Sequence, residues 1–368
     1  MKILILNWRD IKHPRAGGAE IRLHEVYSPL VKQGHEIILY SCSFLNAPKL
    51  ESLDGIQINR LGSDWTFVFQ CFFNLRKWIN FHKPDVVVED LNKLPFYSPI
   101  IYNGPLLIQM HHLWGKSIFK EAVWPLALFI WLSEKTISIF YRKCQFSVVS
   151  PSTKKELVKL GIDYEKIKVI YNGADLKSYF PSTVKKEHII FWIGRMQKYK
   201  GPIEACKILE LIRKDFPTIR LVMAGDGPYK KNVEKYAREK SLPIEFLGFI
   251  EKEEKINWLQ KSSIHLQSSY KEGWGLTVIE ANACGCPVVA NNTAGLCDSC
   301  KDKENGLLYR YNDIDDAAQK IRNILNNKSL SKTLVENGLK RASSFSWEKN
   351  CKEIADLLKK LIRDKNEV

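Results

Sequence analysis

The feature that most constrains the fold of this chain is the stretch EGWGLTVIEANACG at residues 272–285. It follows an apolar run at residues 264–268 that is typical of a buried strand, and it continues into a helical pattern that ends at Gly285. The order is therefore strand, glycine-containing turn and helix. In an open parallel sheet such turns lie at the carboxyl ends of the strands, where ligands bind. The N–H groups and the dipole at the start of the helix favour an anionic ligand there.

Two carboxylates, Glu272 and Glu280, stand eight positions apart across this turn. Thr277 and Glu280 have the spacing of a capping box, in which Glu280 would only satisfy N–H groups at the helix start. Glu272 has no helix to cap, because it lies in a turn between glycines. The residues alone leave two alternatives open for each carboxylate: ligand binding or capping for Glu280, and ligand binding or a solvated loop position for Glu272.

The rest of the chain alternates strand and helix patterns in two rounds. The first occupies residues 1–180, and the second begins after a polar segment at residues 177–187. A chain of 368 residues has room for two or three domains. We therefore predict an α/β protein with an N-terminal domain at 1–180, a C-terminal domain at 181–346 and a final helix within 347–368. Neither half has a GxGxxG motif followed by an acidic residue at the expected distance, which argues against a nicotinamide cofactor.

The composition limits the classes of partner. The formal net charge is +15, and residues 1–180 hold 23 basic and 16 acidic residues against 33 and 25 in the rest. This even spread argues against nucleic acid, whose binding modules concentrate their charge, and favours an anionic substrate or membrane surface. Nine unevenly spaced cysteines indicate reduced thiols, and the N-terminus lacks a signal-peptide pattern, so we expect a cytoplasmic protein.

Two further turns are candidates for phosphate binding. Gly17 and Gly18 stand between a predicted strand and a predicted helix, where glycine lets the backbone approach a phosphate, although ordinary turns also contain such pairs. After the strand pattern HIIFWI, Arg195 and Lys200 stand five positions apart on one loop. Both could reach a diphosphate, Arg195 through its planar guanidinium and Lys200 as a point charge. The alternative is that both are solvated basic residues.

Several motifs along the chain carry a resemblance to a known family. They are, in order, GGAE, the histidine after LLIQM, VSPSTKKEL, VIYNGAD, GRMQKYKG, GDGP and EGWGLTVIEANACGCPVV. Together they resemble the retaining GT-B glycosyltransferases of glycosyltransferase family 4. The resemblance extends over nearly the whole chain, and the spacing of Glu272 and Glu280 is its most specific part. It implies two Rossmann-like parallel-sheet domains that face each other across a cleft, with the last helix crossing back toward the N-terminal domain.

The resemblance implies a donor site in the C-terminal domain. Arg195 and Lys200 would bind the diphosphate of a nucleoside-diphosphate-sugar. Glu280 would bind the ribose hydroxyls, and Glu272 would contact the transferred sugar. The backbone residues expected to border the diphosphate are Gly17, Gly18, Gly275, Leu276 and Thr277.

The resemblance also implies a catalytic histidine and an activity. His111 would lie beside the sugar, but its neighbour His112 stands where an acidic residue is frequent, which leaves the register of the pair open. The implied activity is retaining transfer of a hexose-type sugar from a UDP- or GDP-linked donor to a glycan, lipid-linked or small-molecule acceptor. The alternatives are a GT-B epimerase or phosphorylase, or, in a different class, a basic adaptor on membranes or nucleic acid.

No metal and no other cofactor is expected. Asp313 and Asp315 could form a DxD metal motif, but they open a helical pattern, which favours N-capping. Two cysteine pairs within residues 284–300 have spacings that zinc sites also use, and nothing else in the sequence supports a metal there. Protein cations would instead stabilise the leaving diphosphate.

Two helical patterns in the N-terminal half carry more apolar side chains than one buried face needs. Residues 68–81 would place Val68, Cys71, Phe72, Leu75 and Ile79 on one face, with Phe69, Phe73 and Trp78 beside it. Residues 126–132 are apolar all round, and basic residues accompany both segments. These helices either cover the sheet or lie on an anionic membrane, as a peripheral contact with its inner face. The longest apolar run, at 122–132, is too short to span a bilayer.

Overall fold

The computed structural model describes residues 1–92 and 94–367 as two compact units, which are described separately. Unit 1 is formed by Met1–Gly173 together with the chain from Trp347 onward, and unit 2 by Ala174–Ser346. Each unit is built on one sheet of mostly or wholly parallel strands with helices packed against it. The α/β class and the two rounds of strand and helix predicted from the sequence are confirmed.

Unit 1 contains an eight-stranded sheet. Its strands are β1 (Lys2–Leu6), β2 (Glu36–Cys42), β3 (Leu50–Leu53), β4 (Ile56–Leu61), β5 (Val86–Leu91), β6 (Leu106–Met110), β7 (Gln145–Val148) and β8 (Ile167–Val169). Their order is β3-β4-β2-β1-β5-β6-β7-β8, and of these strands β3 alone is antiparallel, because it forms a hairpin with β4. The apolar runs of β1 and β5 are buried on both sides, as expected for interior strands of a parallel sheet.

Helices cover this sheet on both faces. In unit 1 the helices that precede unit 2 are α1 (Gly18–Lys32), α2 (Phe67–His82), α3 (Ser98–Ile101), α4 (Trp124–Phe140) and α5 (Pro151–Leu160). Leu75 of α2, Ile137 of α4 and Leu157 of α5 belong to one apolar cluster with the strand residues Leu4 and Ile108. These three helices therefore cover the same face of the sheet.

The rotation of α2 about its axis differs from the prediction. The structure buries Phe67, Cys71, Leu75 and Trp78. Trp78 was expected beside the buried face, but it stacks on Tyr40 with ring centroids 3.9 Å apart. Phe72 was predicted on the same face as Cys71 and Leu75, but these two are buried whereas Phe72 lies on the solvent side. Because α2 is apolar on both sides, the sequence pattern could not determine which side packs on the sheet.

Unit 2 contains a six-stranded parallel sheet. Its strands are β9 (Glu187–Ile193), β10 (Arg220–Ala224), β11 (Ile244–Gly248), β12 (Ser262–Gln267), β13 (Val288–Asn291) and β14 (Leu307–Tyr309). Their order is β11-β10-β9-β12-β13-β14. The chain proceeds outward from β9 through β10 to β11 on one side and then from β12 to β14 on the other. The sheet order therefore reverses between β9 and β12, as in a doubly wound nucleotide-binding fold.

The helices of unit 2 connect these strands and cover the sheet. They are α6 (Pro202–Ile212), α7 (Lys230–Glu239), α8 (Lys252–Lys261), α9 (Leu276–Ala283), α10 (Leu296–Ser299), α11 (Ile314–Asn326) and α12 (Lys328–Ala342). Leu209 of α6, Ile321 of α11 and Leu334 of α12 share an apolar cluster with Ile190 and Leu221 of the strands. This cluster is the core on one face of the unit 2 sheet.

The last helix, α13 (Trp347–Asn366), belongs to unit 1 although it follows unit 2 in the chain. Its apolar side, which includes Cys351, Ile354 and Leu358, is buried and packs on α1 and on the strands β5 and β6. The side-chain amide of Asn350 donates a hydrogen bond to the backbone carbonyl of Tyr171, which fixes the start of the helix in unit 1.

The structure places the first boundary between the units at residue 174, earlier than the predicted boundary between residues 180 and 181. The Ala174 N–H donates to the Phe345 carbonyl at 3.0 Å, so the chain enters unit 2 there. Farther along, the Phe180 carbonyl accepts from the Gln260 side chain, also in unit 2. The polar composition of residues 177–187 had suggested a linker, but part of this segment is bonded to unit 2.

The two longest helices in the described residues are α13, with 20 residues, and α4, with 17. Neither these nor any other helix in the described residues combines the length and apolar character required to cross a bilayer.

Candidate active site

The predicted donor residues lie where the strand order of unit 2 reverses. The loops that leave β9 and β12 start from adjacent strand ends and proceed to opposite sides of the sheet, which is the position at which doubly wound sheets bind ligands. The loop after β9 carries Arg195 and Lys200. The loop after β12 carries Glu272 and leads directly into α9, which carries Glu280. The structure therefore brings these four predicted residues onto neighbouring elements.

Close backbone packing fixes these two loops against each other. Gly201 adopts a left-handed conformation, with φ of +66°, and a Cβ atom there would lie 2.4 Å from the Ser268 carbonyl oxygen. The Ser268 hydroxyl accepts from the Trp192 indole N–H at 2.9 Å and donates to the Gly201 carbonyl at 2.7 Å. Glycine is thus required at position 201 by both the φ angle and the contact.

Lys200 and Glu272 form an ion pair between the two loops. The Lys200 Nζ lies 2.5 Å from Glu272 Oε1, and both side chains are largely buried, with 16% and 14% of their surface exposed. Burial by itself lowers the pKa of Lys200, but the Glu272 carboxylate outweighs burial and holds the pKa above its ordinary value. Lys200 is therefore a fixed, desolvated positive charge at the point where the strand order of unit 2 reverses.

Arg195 provides a second cation on the same loop. Its side chain is exposed, and its guanidinium donates to the Tyr199 hydroxyl at 3.3 Å. No carboxylate pairs with Arg195 among the ion pairs found in residues 1–92 and 94–367. An exposed guanidinium next to the buried Lys200 is an arrangement that suits a dianionic diphosphate.

The turn between Glu272 and α9 presents the start of a helix to the same region. Gly275 precedes the helix with φ of +86°, and no side chain caps the first turn. A Cβ atom at Gly275 would lie 2.7 Å from Leu296 Cδ2, and one at Gly295 would lie 2.4 Å from the Glu272 carbonyl oxygen. These glycines allow the turn to pack closely. The N–H groups of Leu276 and Thr277 begin the helix, where backbone donors lack intrahelical partners.

Glu280 does not act as a capping residue. It lies in the second turn of α9, and its Oε1 is 2.8 Å from the Nζ of Lys255 on α8. Thr277 accepts a hydrogen bond from the Gln267 side chain at 3.0 Å. Burial and the charge of Glu280 raise the pKa of the Tyr179 hydroxyl, whose ring lies 5.0 Å from the Lys255 ammonium. The capping alternative for Thr277 and Glu280 is therefore wrong, because the helix begins at Leu276 rather than beyond Thr277.

His111 belongs to a separate polar cluster at the strand ends of unit 1. It follows β6, is buried, and its Nε2 lies 3.2 Å from Asp90 Oδ1 at the end of β5. Its backbone carbonyl accepts from the Thr153 hydroxyl at 3.0 Å. Asp90 also faces the fully buried Arg22 of α1, whose pKa is lowered by burial in spite of this carboxylate. The Nε2–H of His111 donating to Asp90 gives the imidazole a fixed orientation.

Gly17 and Gly18 stand at the start of α1 in the same unit. Gly17 has an extended backbone, and its N–H donates to the Glu20 carboxylate at 2.7 Å, in the manner of a capping box. In this structure the Gly17 N–H is therefore occupied by the protein itself, and a phosphate would bind there only by displacing Glu20.

The rival metal sites have structural explanations. The Asp313 side chain caps α11 by accepting from the Asp316 N–H at 2.9 Å, as the sequence predicted. None of the four cysteines in residues 284–300 belongs to a group with metal-binding geometry among the described residues, where the one such group is His13, Cys42 and Asp64. In that group the Asp64 carboxylate already pairs with Arg9 and Arg15.

The sequence analysis did not identify three residues of these clusters. Lys255 pairs with Glu280, Asp90 pairs with His111, and Arg22 interacts electrostatically with Asp90. A signal for Asp90 was present, because an acidic residue at the carboxyl end of the apolar run in β5 faces the ligand-binding edge of a parallel sheet. No comparable signal identifies Arg22 or Lys255, since their partners are distant in the sequence.

Comparison with known proteins agrees with this architecture. Residues 177–341 match the family described as glycosyl transferases group 1, and residues 16–178 match glycosyltransferase family 4. Together the two matches account for all but the ends of the chain. The chain belongs to the GT-B glycosyltransferases of family 4.

Individual relatives extend the comparison. The chain is 38% identical over 185 residues to an uncharacterized glycosyltransferase of Methanocaldococcus jannaschii, a match that covers 49% of this chain and 50% of that protein. It is 25% identical over 344 residues, covering 90% and 91%, to an α-1,4-N-acetyl-D-galactosaminyltransferase of Campylobacter jejuni that acts on an undecaprenol-diphosphate-linked glycan.

Two solved structures show the same fold over the whole chain. Sucrose-phosphate synthase from Thermosynechococcus elongatus superposes with a TM-score of 0.82 at 20% identity, covering 99% of each chain. HepE from Anabaena, in complex with UDP and glucose, superposes with a TM-score of 0.77 at 20% identity, covering 98% of this chain and all of the other. At this identity the superpositions establish the GT-B fold and nothing finer.

Proposed function

We propose that this protein transfers a hexose-type sugar, with retention of anomeric configuration, from a UDP- or GDP-linked donor to a glycan or lipid-linked acceptor. The observation that carries the proposal is the paired Lys200 and Glu272 beside the uncapped start of α9, at the strand-order switch of unit 2. This arrangement provides both a site for an anionic diphosphate and a carboxylate for sugar hydroxyls. The glycosyltransferase names of the Campylobacter and Methanocaldococcus relatives and the UDP complex of HepE are consistent with it.

In this proposal the donor is bound mainly by unit 2. The guanidinium of Arg195 and the ammonium of Lys200 neutralise the diphosphate, assisted by the N–H groups that follow Gly275. Glu280 accepts hydrogen bonds from the ribose hydroxyls, and the ion pair with Lys255 orients its carboxylate. When the diphosphate binds Lys200, the Glu272 carboxylate is released to accept hydrogen bonds from the transferred sugar.

The reaction follows from these charges. The acceptor oxygen forms a bond to the anomeric carbon on the face that the diphosphate leaves, and the bond from that carbon to the phosphate oxygen breaks. The leaving nucleoside diphosphate takes the bonding electron pair, and one of its phosphate oxygens takes the proton of the acceptor hydroxyl. Arg195, Lys200 and the start of α9 stabilise the negative charge that develops. No separate strong base is needed.

His111 is proposed to contact the transferred sugar, in an orientation set by Asp90. Gly17 and Gly18 are proposed to border the donor phosphates, in which case the Glu20 carboxylate must leave the Gly17 N–H. Because protein cations supply the positive charge, the proposed reaction uses no metal ion.

A thermal-shift screen tests the proposed function. The full chain is heated with UDP, GDP or ADP and with the corresponding nucleotide-sugars. A ligand that binds the native state raises the melting temperature, by an amount that grows with the logarithm of the ratio of its concentration to its Kd. We expect UDP or GDP, and their sugars, to stabilise the protein; absence of any shift with every nucleotide would contradict the proposal.

A further inference from the structure

The solvent-facing side of α2 is aromatic rather than polar. Trp65, just before the helix, and Phe69, Phe73 and Phe81 recur at multiples of four residues, so they form an oblique stripe that turns by about 40° around the helix axis with each step of four residues. Trp65 is 73% exposed, Phe73 77% and Phe81 80%. The side of α2 that packs on the sheet is apolar as well. The outer stripe therefore has no role in the core of unit 1.

A second group of exposed apolar side chains lies on α4 and on the segment that leads into it. Trp124, at the start of the helix, is 67% exposed, and Ile139, near its end, is 70% exposed. The other members of the group are Phe119, Val123, Phe129, Leu132 and Phe140. Because α2 and α4 cover the same face of the sheet, both groups project from the same side of unit 1. In unit 2 the exposed large apolar side chains of the described residues are scattered: Phe180, Val184, Phe249 and Tyr311.

The charges around these side chains are almost all positive. On α2 and its C-terminal end the exposed ionic side chains are Arg76, Lys77 and Lys83; on and around α4 they are Lys116, Lys120, Lys135, Arg142 and Lys143. Residues 65–83 contain no Asp or Glu. Within residues 115–143 the carboxylates are the half-buried Glu121 and the buried Glu134. The buried Glu134 accepts backbone N–H bonds from Trp114 and Gly115 at 2.6 and 2.8 Å, so it contributes little negative charge to this surface.

We propose that this aromatic and basic surface of unit 1, formed by α2, α4 and the residues that flank them, docks the protein on an anionic lipid membrane. Phenylalanine and tryptophan side chains enter the interfacial region of a bilayer, and lysine and arginine pair with anionic headgroups. The charge complementarity favours lipid over a second copy of the chain. A two-fold symmetric dimer through this surface would bring like cations together.

The docking surface adds a constraint to the proposed function, on which this step rests. An enzyme held at the membrane by unit 1 meets acceptors that are themselves anchored in the same leaflet. The lipid-linked class of acceptor is therefore favoured over a free glycan or small molecule. Docking itself requires neither donor nor acceptor, so it can be measured separately from transfer.

Vesicle co-sedimentation of the full chain tests the proposal. Vesicles of phosphatidylcholine alone are compared with vesicles that also contain phosphatidylglycerol, at low and high salt. We expect binding to require phosphatidylglycerol and to weaken with salt. The double substitution Arg76→Gln/Lys77→Gln is expected to lower the partition coefficient more than about tenfold, at about fivefold per cation. The exposed pair Phe69→Ser/Phe73→Ser is expected to lower it by about tenfold or more.

Matched substitutions on unit 2 serve as controls, because they remove exposed side chains of the same type. Lys235→Gln/Lys332→Gln removes two solvent-exposed cations, and Phe249→Ser removes an aromatic side chain that is 80% exposed. We expect neither to change vesicle binding. Equal losses in the control and surface variants would contradict a specific docking surface. So would failure of the wild-type protein to sediment with anionic vesicles at low salt.

Two further measurements separate the remaining outcomes. If the surface variants convert a dimer into monomers, as seen by sedimentation equilibrium, and the wild type does not bind vesicles, the surface is an interface between copies and the proposal is overturned. Calorimetric titration of the same variants with UDP and GDP examines the donor site independently. Vesicle binding without any nucleotide binding would support the docking surface and contradict the proposed function.

Discussion

Burial and a neighbouring carboxylate shift the pKa of the Lys200 ammonium group in opposite directions. Burial alone would lower its pKa, whereas the ion pair with Glu272 raises it, and the ion pair dominates. The result is a positive charge that is held at the strand-order switch before any ligand arrives. Its carboxylate partner in the described residues, Glu272, lies on the loop that the proposed function assigns to the transferred sugar. Under that proposal, ligand binding and ion pairing at Lys200 are coupled.

Substitutions of Glu272 and Glu280 are expected to affect turnover and nucleotide affinity differently. Glu272→Gln leaves Lys200 without its ionic partner, so the free energy of unfolding should fall by roughly 1–3 kcal/mol. Turnover should fall strongly, whereas nucleotide affinity should not fall, because Glu272 is assigned to the sugar and its loss frees Lys200 for the diphosphate. Glu280→Gln should instead weaken nucleotide binding about tenfold. Calorimetry and steady-state kinetics measure both effects; equal losses of nucleotide affinity in the two variants would contradict this division of roles.

Asp90 is expected to act through His111. Asp90→Asn removes the carboxylate that accepts the Nε2–H, so the imidazole loses its fixed tautomer, and kcat should fall at least about tenfold with little change in KM for the donor. His111→Ala should lower kcat at least as much. In the double variant the two losses should not add, because both act on one group. Additive losses, measured as donor turnover, would show that Asp90 has a role independent of His111.

At the scale of single elements, the sequence predicted the type and place of α9 but not the function of its side chains. The glycine turn and the spacing after β12 identified the helix correctly. The choice between capping and ligand binding for Glu280 depended on where the first turn begins, and the capping alternative placed that start at Val278, two residues too late. For α2 the difficulty was different. Both sides of the helix are apolar, so periodicity could not distinguish the side that covers the sheet from the aromatic side that faces solvent.

Strand β12 contains a buried histidine that gives a pH prediction. His265 is fully buried, and its Nδ1 bonds to the Phe191 carbonyl at 3.1 Å, while its Nε2 has no hydrogen-bond partner in the part of the chain that the structure describes. Burial lowers its pKa from 6.5 to about 4, so it is neutral in the folded state. Between pH 6.5 and pH 4 the unfolded chain binds a proton that the folded chain does not. The contribution of His265 therefore lowers the free energy of unfolding as pH falls through this range, by at most about 1.4 kcal/mol per pH unit.

Urea unfolding of the full chain at several pH values between 4 and 7 measures this effect. His265→Gln retains a hydrogen-bond donor for the Phe191 carbonyl and does not titrate. We expect the stability of the variant to depend less on pH than that of the wild type, with the other seven histidines unchanged in both proteins. Identical pH dependence in the two proteins would show that His265 does not contribute.

At the scale of the whole molecule, the two rounds of strand and helix were predictable because the apolar strand runs and amphipathic helices differ clearly in period. The boundary at residue 174 was not, because the bond from Ala174 to Phe345 joins residues that are far apart in the sequence. His111 was predicted, but its neighbours Arg22 and Asp90 were not, for the same reason: the cluster is formed by three separate elements of unit 1. Composition did indicate a positively charged protein, and the structure adds that the aromatic side of unit 1 is flanked by cations.

Independence from divalent metal ions is a property expected of the whole enzyme. Asp313 is engaged as a helix cap, and the cations of the donor site belong to the protein. Sugar transfer should therefore proceed unchanged in excess EDTA, measured as nucleoside diphosphate released. Complete loss of sugar transfer in EDTA, with activity restored by manganese or magnesium, would contradict this expectation. Asp313 and Asp315 would then again be candidate metal ligands.

The central claim is that Arg195 and Lys200 bind the diphosphate of a nucleotide-sugar. Calorimetric titration of the full chain with UDP and GDP tests it directly, using Arg195→Ala, Lys200→Ala and, as a control, Lys207→Ala, which removes an exposed cation on the following helix. The account predicts that each of the first two substitutions weakens binding by roughly 1.5–3 kcal/mol, as for a lost hydrogen bond to a charged group. Lys207→Ala should bind like the wild type. Unchanged affinity in both Arg195→Ala and Lys200→Ala would contradict the claim.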